Sequence, residues 1–180
     1  MFKAVSESPA TPPTDEKDWT WVIREPCPEC EFDPGAVSTA QLAGDLREAA
    51  TRWQRVPQRP GVTIRPSPQV WSPLEYAAHV ADVYLIMGDR AELMLRESEP
   101  TFPNWDQDAT ALEKRYWEAD PATVAVEIAA AAERTAGVFA AVAPEQWERI
   151  GYRSNGAVFT VRTLGIYCLH DLVHHLHDVG

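Results

Sequence analysis

The chain is organised around one stretch near its C-terminal end, Cys168-Leu169-His170-Asp171-Leu172-Val173-His174-His175-Leu176-His177-Asp178-Val179. Its leucines and valine recur at the spacing of an amphipathic helix, and four of the five histidines of the protein lie among them. On a helix, His170, His174 and His177 point the same way, while His175 lies roughly 140° round from His170. Two imidazoles at positions i and i+4 can bind one metal ion. The stretch therefore predicts a packed helix. Its histidines are either metal ligands or part of a polar, solvated helix end where they interact favourably with the helix dipole, and the angles leave open which of the three aligned histidines would be used.

The fifth histidine, His79, lies on an earlier predicted helix that has the clearest start signal in the sequence. Ser72 is the expected N-cap, Glu75 completes a capping box with it, and Trp71 is expected to pack on Tyr76 as a hydrophobic staple. His79 then falls on the apolar stripe of this helix. A lone histidine on such a stripe is more often a satisfied core residue than a ligand. The C-terminal cluster favours the ligand role here.

Composition excludes several classes of function. The chain has 180 residues, enough for one domain with a single core, and a formal net charge of −11, which argues against nucleic acid as a partner. No apolar run approaches the roughly 20 residues of a membrane span, and the N-terminus lacks the apolar segment of a signal peptide. Three cysteines make a disulfide framework unexpected. These features predict a reduced, cytoplasmic protein.

Two of the cysteines form a CxxC motif between prolines, Pro26-Cys27-Pro28-Glu29-Cys30. Such a loop can supply half of a zinc site or a redox pair. A tetrahedral site needs two further soft ligands, and the remaining cysteine, Cys168, points roughly 160° away from His170 on a helix. Two interpretations stay open, a structural loop that packs its small thiols and a second metal or redox role. The preceding residues 18–23 alternate like a short strand or an extended arm that buries its tryptophans.

The remaining patterns predict an all-α protein, a four-helix bundle with a short hairpin before the last helix. An Asn-Gly pair, Asn155-Gly156, is the turn signal of that hairpin. The loop over residues 100–108 is expected to plug one end of the bundle rather than overhang a pocket. The expected domains are an extended N-terminal arm with the CxxC loop, 1–35, and the bundle, 36–180. Helices are predicted over residues 38–56, 73–96, 109–117, 121–142 and from 161 onward.

Three segments together resemble the DinB/YfiT-like superfamily, and most of all its actinobacterial branch, which tends to carry the Pro-Cys-Pro-Glu-Cys arm. These segments are residues 71–83, 159–164 and 170–179. The resemblance implies an up-down-down-up four-helix bundle with a divalent metal near one end. It implies His79, His170 and His174 as the metal ligands, and it leaves His175 and His177 behind the ligands or at the surface. Zinc is the first expectation, with nickel and iron as alternatives, and water would fill the open position.

The same resemblance suggests a function, since relatives in the superfamily include mycothiol-dependent isomerases and bacillithiol transferases. The leading hypothesis is a metal-dependent thiol S-transferase, in which a small thiol of the mycothiol type attacks an electrophilic small molecule. The second is a metal-dependent hydrolase in which Asp171 is a candidate base. Asp171 lies about 100° off the His170 direction on the helix, which favours a role behind the ligands or in solvent instead. Asp82, one turn after His79, is an equal candidate for orienting an imidazole. The third is a non-catalytic metal-binding or stress-related protein. A homodimer is common in the superfamily.

Overall fold

The computed structural model describes Ala10, Pro12 and residues 17–180, so most of the first 16 residues of the predicted arm lie outside the described part. Within these residues the chain forms five α-helices and three short strands, and the predicted fold class, a four-helix bundle, is confirmed. The helices are α1 (Leu42–Trp53), α2 (Pro73–Arg96), α3 (Gln107–Lys114), α4 (Pro121–Ala140) and α5 (Val161–Asp178). The strands are β1 (Thr101–Phe102), β2 (Ile150–Arg153) and β3 (Val158–Thr160).

The four long helices α1, α2, α4 and α5 form the bundle. Helices α4 and α5 each pack against both α1 and α2, so α1 and α2 lie on a diagonal although they follow each other in the chain. Two buried hydrogen bonds join these helices. The indole N–H of Trp53 on α1 donates to the carbonyl of Leu172 on α5 at 2.9 Å. The hydroxyl of Tyr84 on α2 donates to the carbonyl of Leu46 on α1 at 2.7 Å. None of the helices in the described ranges is long and apolar enough to cross a lipid bilayer.

The start of α2 confirms the sequence signal. The Ser72 hydroxyl accepts a hydrogen bond from the backbone N–H of Glu75, and the Glu75 carboxylate accepts one from the backbone N–H of Ser72 at 2.8 Å. The rings of Trp71 and Tyr76 meet edge to face, 5.5 Å between centroids, as the staple requires. This cap fixes the first turns of α2 and with them the position of His79.

The N-terminal arm differs from the expected strand. Trp19–Ile23 is a 3-10 helix, because the Asp18 side chain accepts the backbone N–H of Thr20 and closes a turn at its start. The helix rests on α5 with Val22 fully buried and Trp21 half-buried. The predicted strand or extended conformation was wrong, and the tryptophans that were expected to be buried, Trp19 and Trp21, are half-buried against the core.

The predicted hairpin forms from β2 and β3, with Gly156 at φ 95° in the turn. A third strand was not predicted: β1 pairs parallel to β2, with Thr101 opposite Tyr152. A two-residue strand carries too short a pattern to be recognised in sequence. Its pairing holds the 100–108 loop against the hairpin.

Candidate metal centres

Two groups of potential metal ligands meet neighbouring faces of α5. The first joins His79 of α2 to Asp171 and His175, and the second joins His170 and His174 to Cys27 and Cys30 of the arm. In each group one ligand atom from every residue lies within 4.8 Å of all the others. Both α5 pairs are spaced i, i+4, and they are offset by one residue, or about 100° around the helix.

The first group has the geometry of ligands that share one ion. The carboxylate oxygen Oδ1 of Asp171 lies 3.7 Å from Nε2 of His79 and 3.4 Å from Nε2 of His175. A hydrogen bond between these atoms would be shorter, about 2.8 Å. Two ligands of one tetrahedral zinc lie about 3.3–3.5 Å apart, since each bond is about 2.0–2.1 Å long. The spacing therefore fits an ion at the centre.

Burial also points to a missing partner in this group. The His79 side chain is 0% exposed, and among the described residues neither of its ring nitrogens has a hydrogen-bond partner. Oδ1 of Asp171 is equally buried, and no donor in the described part of the chain makes a hydrogen bond to it. Leaving such atoms unsatisfied costs about 1–3 kcal/mol each, and more for a charged group. A cation at the centre would satisfy Asp171 and the facing nitrogen of His79 together.

Protonation in the first group suits metal binding. Burial lowers the pKa of His79, so its imidazole is neutral at pH 7. Burial by itself would raise the pKa of Asp171, but the imidazoles of His79 and His175 act in the opposite direction and hold that pKa below its usual value. A neutral imidazole and an ionised carboxylate are the forms that bind a divalent cation.

The surrounding residues orient these ligands. The Asp178 carboxylate lies 2.8 Å from Nδ1 of His175, which leaves Nε2 of that ring facing Asp171. This carboxylate–histidine pairing is typical of metal sites, where it fixes the ring and raises its basicity. The Trp105 ring stacks on His79 at 5.1 Å with 4° between the planes, and Trp71 covers the same ring at 5.3 Å. The ligands are thus held before any ion binds.

A cavity of about 960 Å³ opens beside the first group. Asp171 and His175 line it, whereas the fully buried His79 lies behind its wall. The other lining residues mix aromatic rings with charged groups, notably Trp71, Trp105, Tyr167, Arg90 and Arg153. An ion held by the three ligands would therefore keep one side open to a space large enough for a small molecule.

The second group is more deeply buried, although His170 and His174 also line the cavity. Cys27 is 1% exposed, His170 4% and His174 8%, and only Cys30 is half-buried. Sγ of Cys27 lies 3.7 Å from Nδ1 of His174. The rings of His170 and His174 are 5.2 Å apart, and Phe32 covers His170 at 5.4 Å.

A comparison with known proteins identifies the family of the chain. A family model of the DinB superfamily matches residues 31–179. The chain belongs to the DinB superfamily. A solved relative, YfiT from Bacillus subtilis, superposes with a TM-score of 0.70 at 19% sequence identity, over 79% of this chain and 86% of that one. YfiT is described as a probable metal-dependent hydrolase with an unusual four-helix bundle topology. No curated protein matches the chain significantly.

The structure divides the ligand set that the DinB resemblance implied. His79 lies with Asp171 and His175, while His170 and His174 lie with the two cysteines of the arm. Angles within one helix do not reveal this, because they do not say which neighbour each face of α5 meets. His175, expected behind the ligands or at the surface, lies in the first group of potential ligands, whereas His177 is exposed.

The other predicted site residues are also placed. Asp82 does not orient an imidazole by a hydrogen bond, because its carboxylate accepts hydrogen bonds from Lys114 and from the Tyr116 hydroxyl. Cys168 is fully buried and belongs to neither group. The 100–108 loop was expected to plug the bundle, but its Trp105 lines the cavity and stacks on His79, so that prediction was wrong. The pairing of β1 with β2 holds the 100–108 loop in place.

Proposed function

We propose that this DinB-superfamily protein is a metal-dependent hydrolase whose divalent ion is held by His79, Asp171 and His175. The observation that carries the proposal is the triangle of Asp171 Oδ1 with two imidazole Nε2 atoms, at 3.7 and 3.4 Å, on the wall of a large cavity. Two histidines and one carboxylate with one position left open are the ligand set of several zinc hydrolases. YfiT, which shares the fold, is described as a probable metal-dependent hydrolase.

The bound ion would supply a nucleophile at neutral pH by lowering the pKa of a coordinated water to about 7. The chain's own residues provide the rest. Asp178 holds His175 in the tautomer that points Nε2 at the centre. Trp105 and Trp71 cover the buried His79 ring, while Asp171 and His175 face the cavity, from which a substrate would approach.

The cavity also limits the substrate class. Arg90 is 6% exposed as a residue, and its Nη2 donates to the carbonyl of Pro103 at 2.9 Å. Burial lowers its pKa to about 10, so it stays charged at pH 7. Arg153 lines the same space, its guanidinium 6.0 Å from the Tyr167 ring. Two guanidiniums beside aromatic rings suit a substrate with a carboxylate or similar anionic group and an apolar body.

A thiol S-transferase is the second candidate, and the size and charge of the cavity favour it. A volume of about 960 Å³ exceeds what a small ester needs and would accommodate a low-molecular-weight thiol together with its electrophile. An ion at the same three ligands would bind the thiol as thiolate. In this alternative Arg90 and Arg153 would bind anionic groups of the thiol cofactor.

One set of assays separates the candidates. Purified protein is stripped with a chelator, reloaded with zinc, nickel or iron(II), and tested in parallel on ester and amide substrates without thiol and on a haloarene with thiol. We expect metal-dependent turnover of an ester or amide that is lost in Asp171→Asn and retained in His177→Ala, a matched control on the exposed side of α5. Turnover only with thiol would select the transferase. Metal bound at Asp171 with neither activity would favour a binding protein.

A further inference from the structure

We propose that Cys27, Cys30, His170 and His174 form a second metal site, a closed tetrahedral zinc site that fastens the N-terminal arm to α5. It is separate from the centre of the proposed function and shares no ligand with it. Its role is structural, because four protein ligands complete the coordination of zinc and leave no position for a substrate.

The backbone of the CxxC loop presents both thiols to the same side. The N–H of Cys27 donates to the carbonyl of Phe32 at 2.8 Å, and the N–H of Glu31 donates to the carbonyl of Cys27 at 2.9 Å. Glu31 has φ 60°, in the left-handed region, where the chain reverses directly after Cys30. These two bonds close the loop around the pair of cysteines.

The side-chain distances fit one tetrahedral ion. Sγ of Cys27 lies 3.7 Å from Nδ1 of His174, and the four candidate ligand atoms all lie within 4.8 Å of one another. In a tetrahedral zinc site with Zn–S about 2.3 Å and Zn–N about 2.0 Å, sulfur and nitrogen ligands are about 3.5 Å apart. The distance between Cys27 and His174 is thus already close to that value.

An unsatisfied polar atom supports a bound ion here. Nε2 of His170 is buried and has no hydrogen-bond partner among the described residues, although the residue is only 4% exposed. Nε2 of His174 lies 3.6 Å from a Glu29 carboxylate oxygen, so this ring has an acidic group on the side away from Cys27.

The site would connect distant parts of the chain and shape the cavity. Cys27 and His174 are 147 positions apart, so one ion links the arm to the last helix. Trp19, in the 3-10 helix of the arm, lies 4.7 Å from the His174 ring and 5.7 Å from the His170 ring, and it lines the cavity. Zinc binding at the cysteines would therefore fix one wall of the substrate space. Its binding free energy would add to folding stability.

The test is metal stoichiometry and cobalt spectroscopy on the full chain, purified without a tag, stripped and then titrated with Zn²⁺ or Co²⁺. We expect two zinc ions per wild-type chain, one in Cys30→Ser and two in Cys168→Ala, the matched control at the cysteine outside the cluster. The cobalt form should show sulfur-to-cobalt charge-transfer bands in wild type and in His175→Ala. The bands should be lost in Cys30→Ser. Wild-type cobalt protein without these bands, or unchanged zinc content in Cys30→Ser, would overturn the site.

A measurement on the wild type covers the case in which Cys30→Ser does not fold. Zinc should protect Cys27 and Cys30 from alkylation, as read by mass spectrometry, and removal of zinc should expose both. Equal alkylation with and without zinc contradicts the proposal. The His175→Ala variant keeps this test separate from the proposed function, because it should lose one zinc while the charge-transfer bands remain.

Discussion

His170 and Asp171 are adjacent in sequence, yet their side chains belong to different ligand clusters. His170 faces the cysteines of the arm, and Asp171 faces His79 of α2. Each has its partner one turn later, at His174 and His175, so two i, i+4 pairs run side by side along α5 with an offset of about 100°. A single helix can in this way supply both a closed site and an open one.

Replacing Asp178 should weaken metal binding at the open site. Its carboxylate lies 2.8 Å from Nδ1 of His175 and orients that ring, and loss of such a partner typically reduces metal affinity about 10–100-fold. We expect this loss in Asp178→Asn, measured by competition with a chromophoric chelator. Glu48→Gln, an exposed acidic residue on α1, is the control for the change in net charge. Equal affinities in the two variants would exclude an orienting role for Asp178.

Removing the Trp105 ring should destabilise the protein and uncover His79. The two rings are stacked with 4° between their planes, and such pairs contribute about 0.5–1.5 kcal/mol beyond the area they bury. The free energy of unfolding in urea should therefore fall by at least about 1 kcal/mol in Trp105→Ala. Trp105→Phe, which keeps a ring over the imidazole, should recover most of the loss. A stability change that is the same in both variants would show that stacking is not the cause.

The Arg65–Glu75 pair should make stability depend on acid. The Glu75 side chain is 2% exposed, and Nε of Arg65 donates to it at 2.8 Å. Burial alone would raise the pKa of Glu75, but the hydrogen bonds from Arg65 and Ser72 together lower it below its usual value. Near pH 4 the native state therefore binds fewer protons than the unfolded state. The contribution of the pair to the free energy of unfolding is fully present above the pKa that Glu75 has in the unfolded chain, and it is lost as the pH falls through the pKa of Glu75 in the folded protein.

The measurement for that pair is thermal unfolding as a function of pH. At pH 7 we expect Arg65→Met to lose about 3 kcal/mol, because the Glu75 carboxylate stays buried without its cation. The stability of Arg65→Met should fall less on acidification than that of the wild type. The double variant Arg65→Met/Glu75→Gln should recover part of the loss. If the wild type and Arg65→Met have parallel pH profiles, the pair does not act as described.

Adding a methyl group at Gly165 should disrupt the bundle. A Cβ there would lie 2.4 Å from Cδ2 of Leu42 and 3.1 Å from Cε1 of Phe139, so α5 can approach α1 and α4 closely only with glycine at this position. Gly165→Ala should cost about 1–3 kcal/mol by overpacking. Gly44→Ala, on the exposed side of α1 with nothing within 4 Å, should instead stabilise by up to about 1 kcal/mol. Equal effects in denaturant unfolding would mean that helix propensity, not the close approach, dominates.

The local elements of this protein are determined by its sequence. The capping box at Ser72 and Glu75, the Asn155-Gly156 turn and the apolar spacing of α5 each act within a few residues, and each appears as predicted. Together with the order of the histidines they also identified the DinB superfamily and its four-helix bundle. Short-range hydrogen bonds and helical periodicity are encoded locally, so a pattern can reveal them.

The composition of the two ligand clusters was decided by the tertiary structure alone. The sequence placed candidate ligands along α5, but it did not say that one face would meet α2 and the next would meet the CxxC loop. The sequence also did not predict that Trp105 stacks on His79, since that contact depends on the pairing of β1 with β2. Such contacts are set by how helices and loops pack across long separations in the chain. A one-residue offset on a helix, about 100°, is enough to assign a side chain to a different partner.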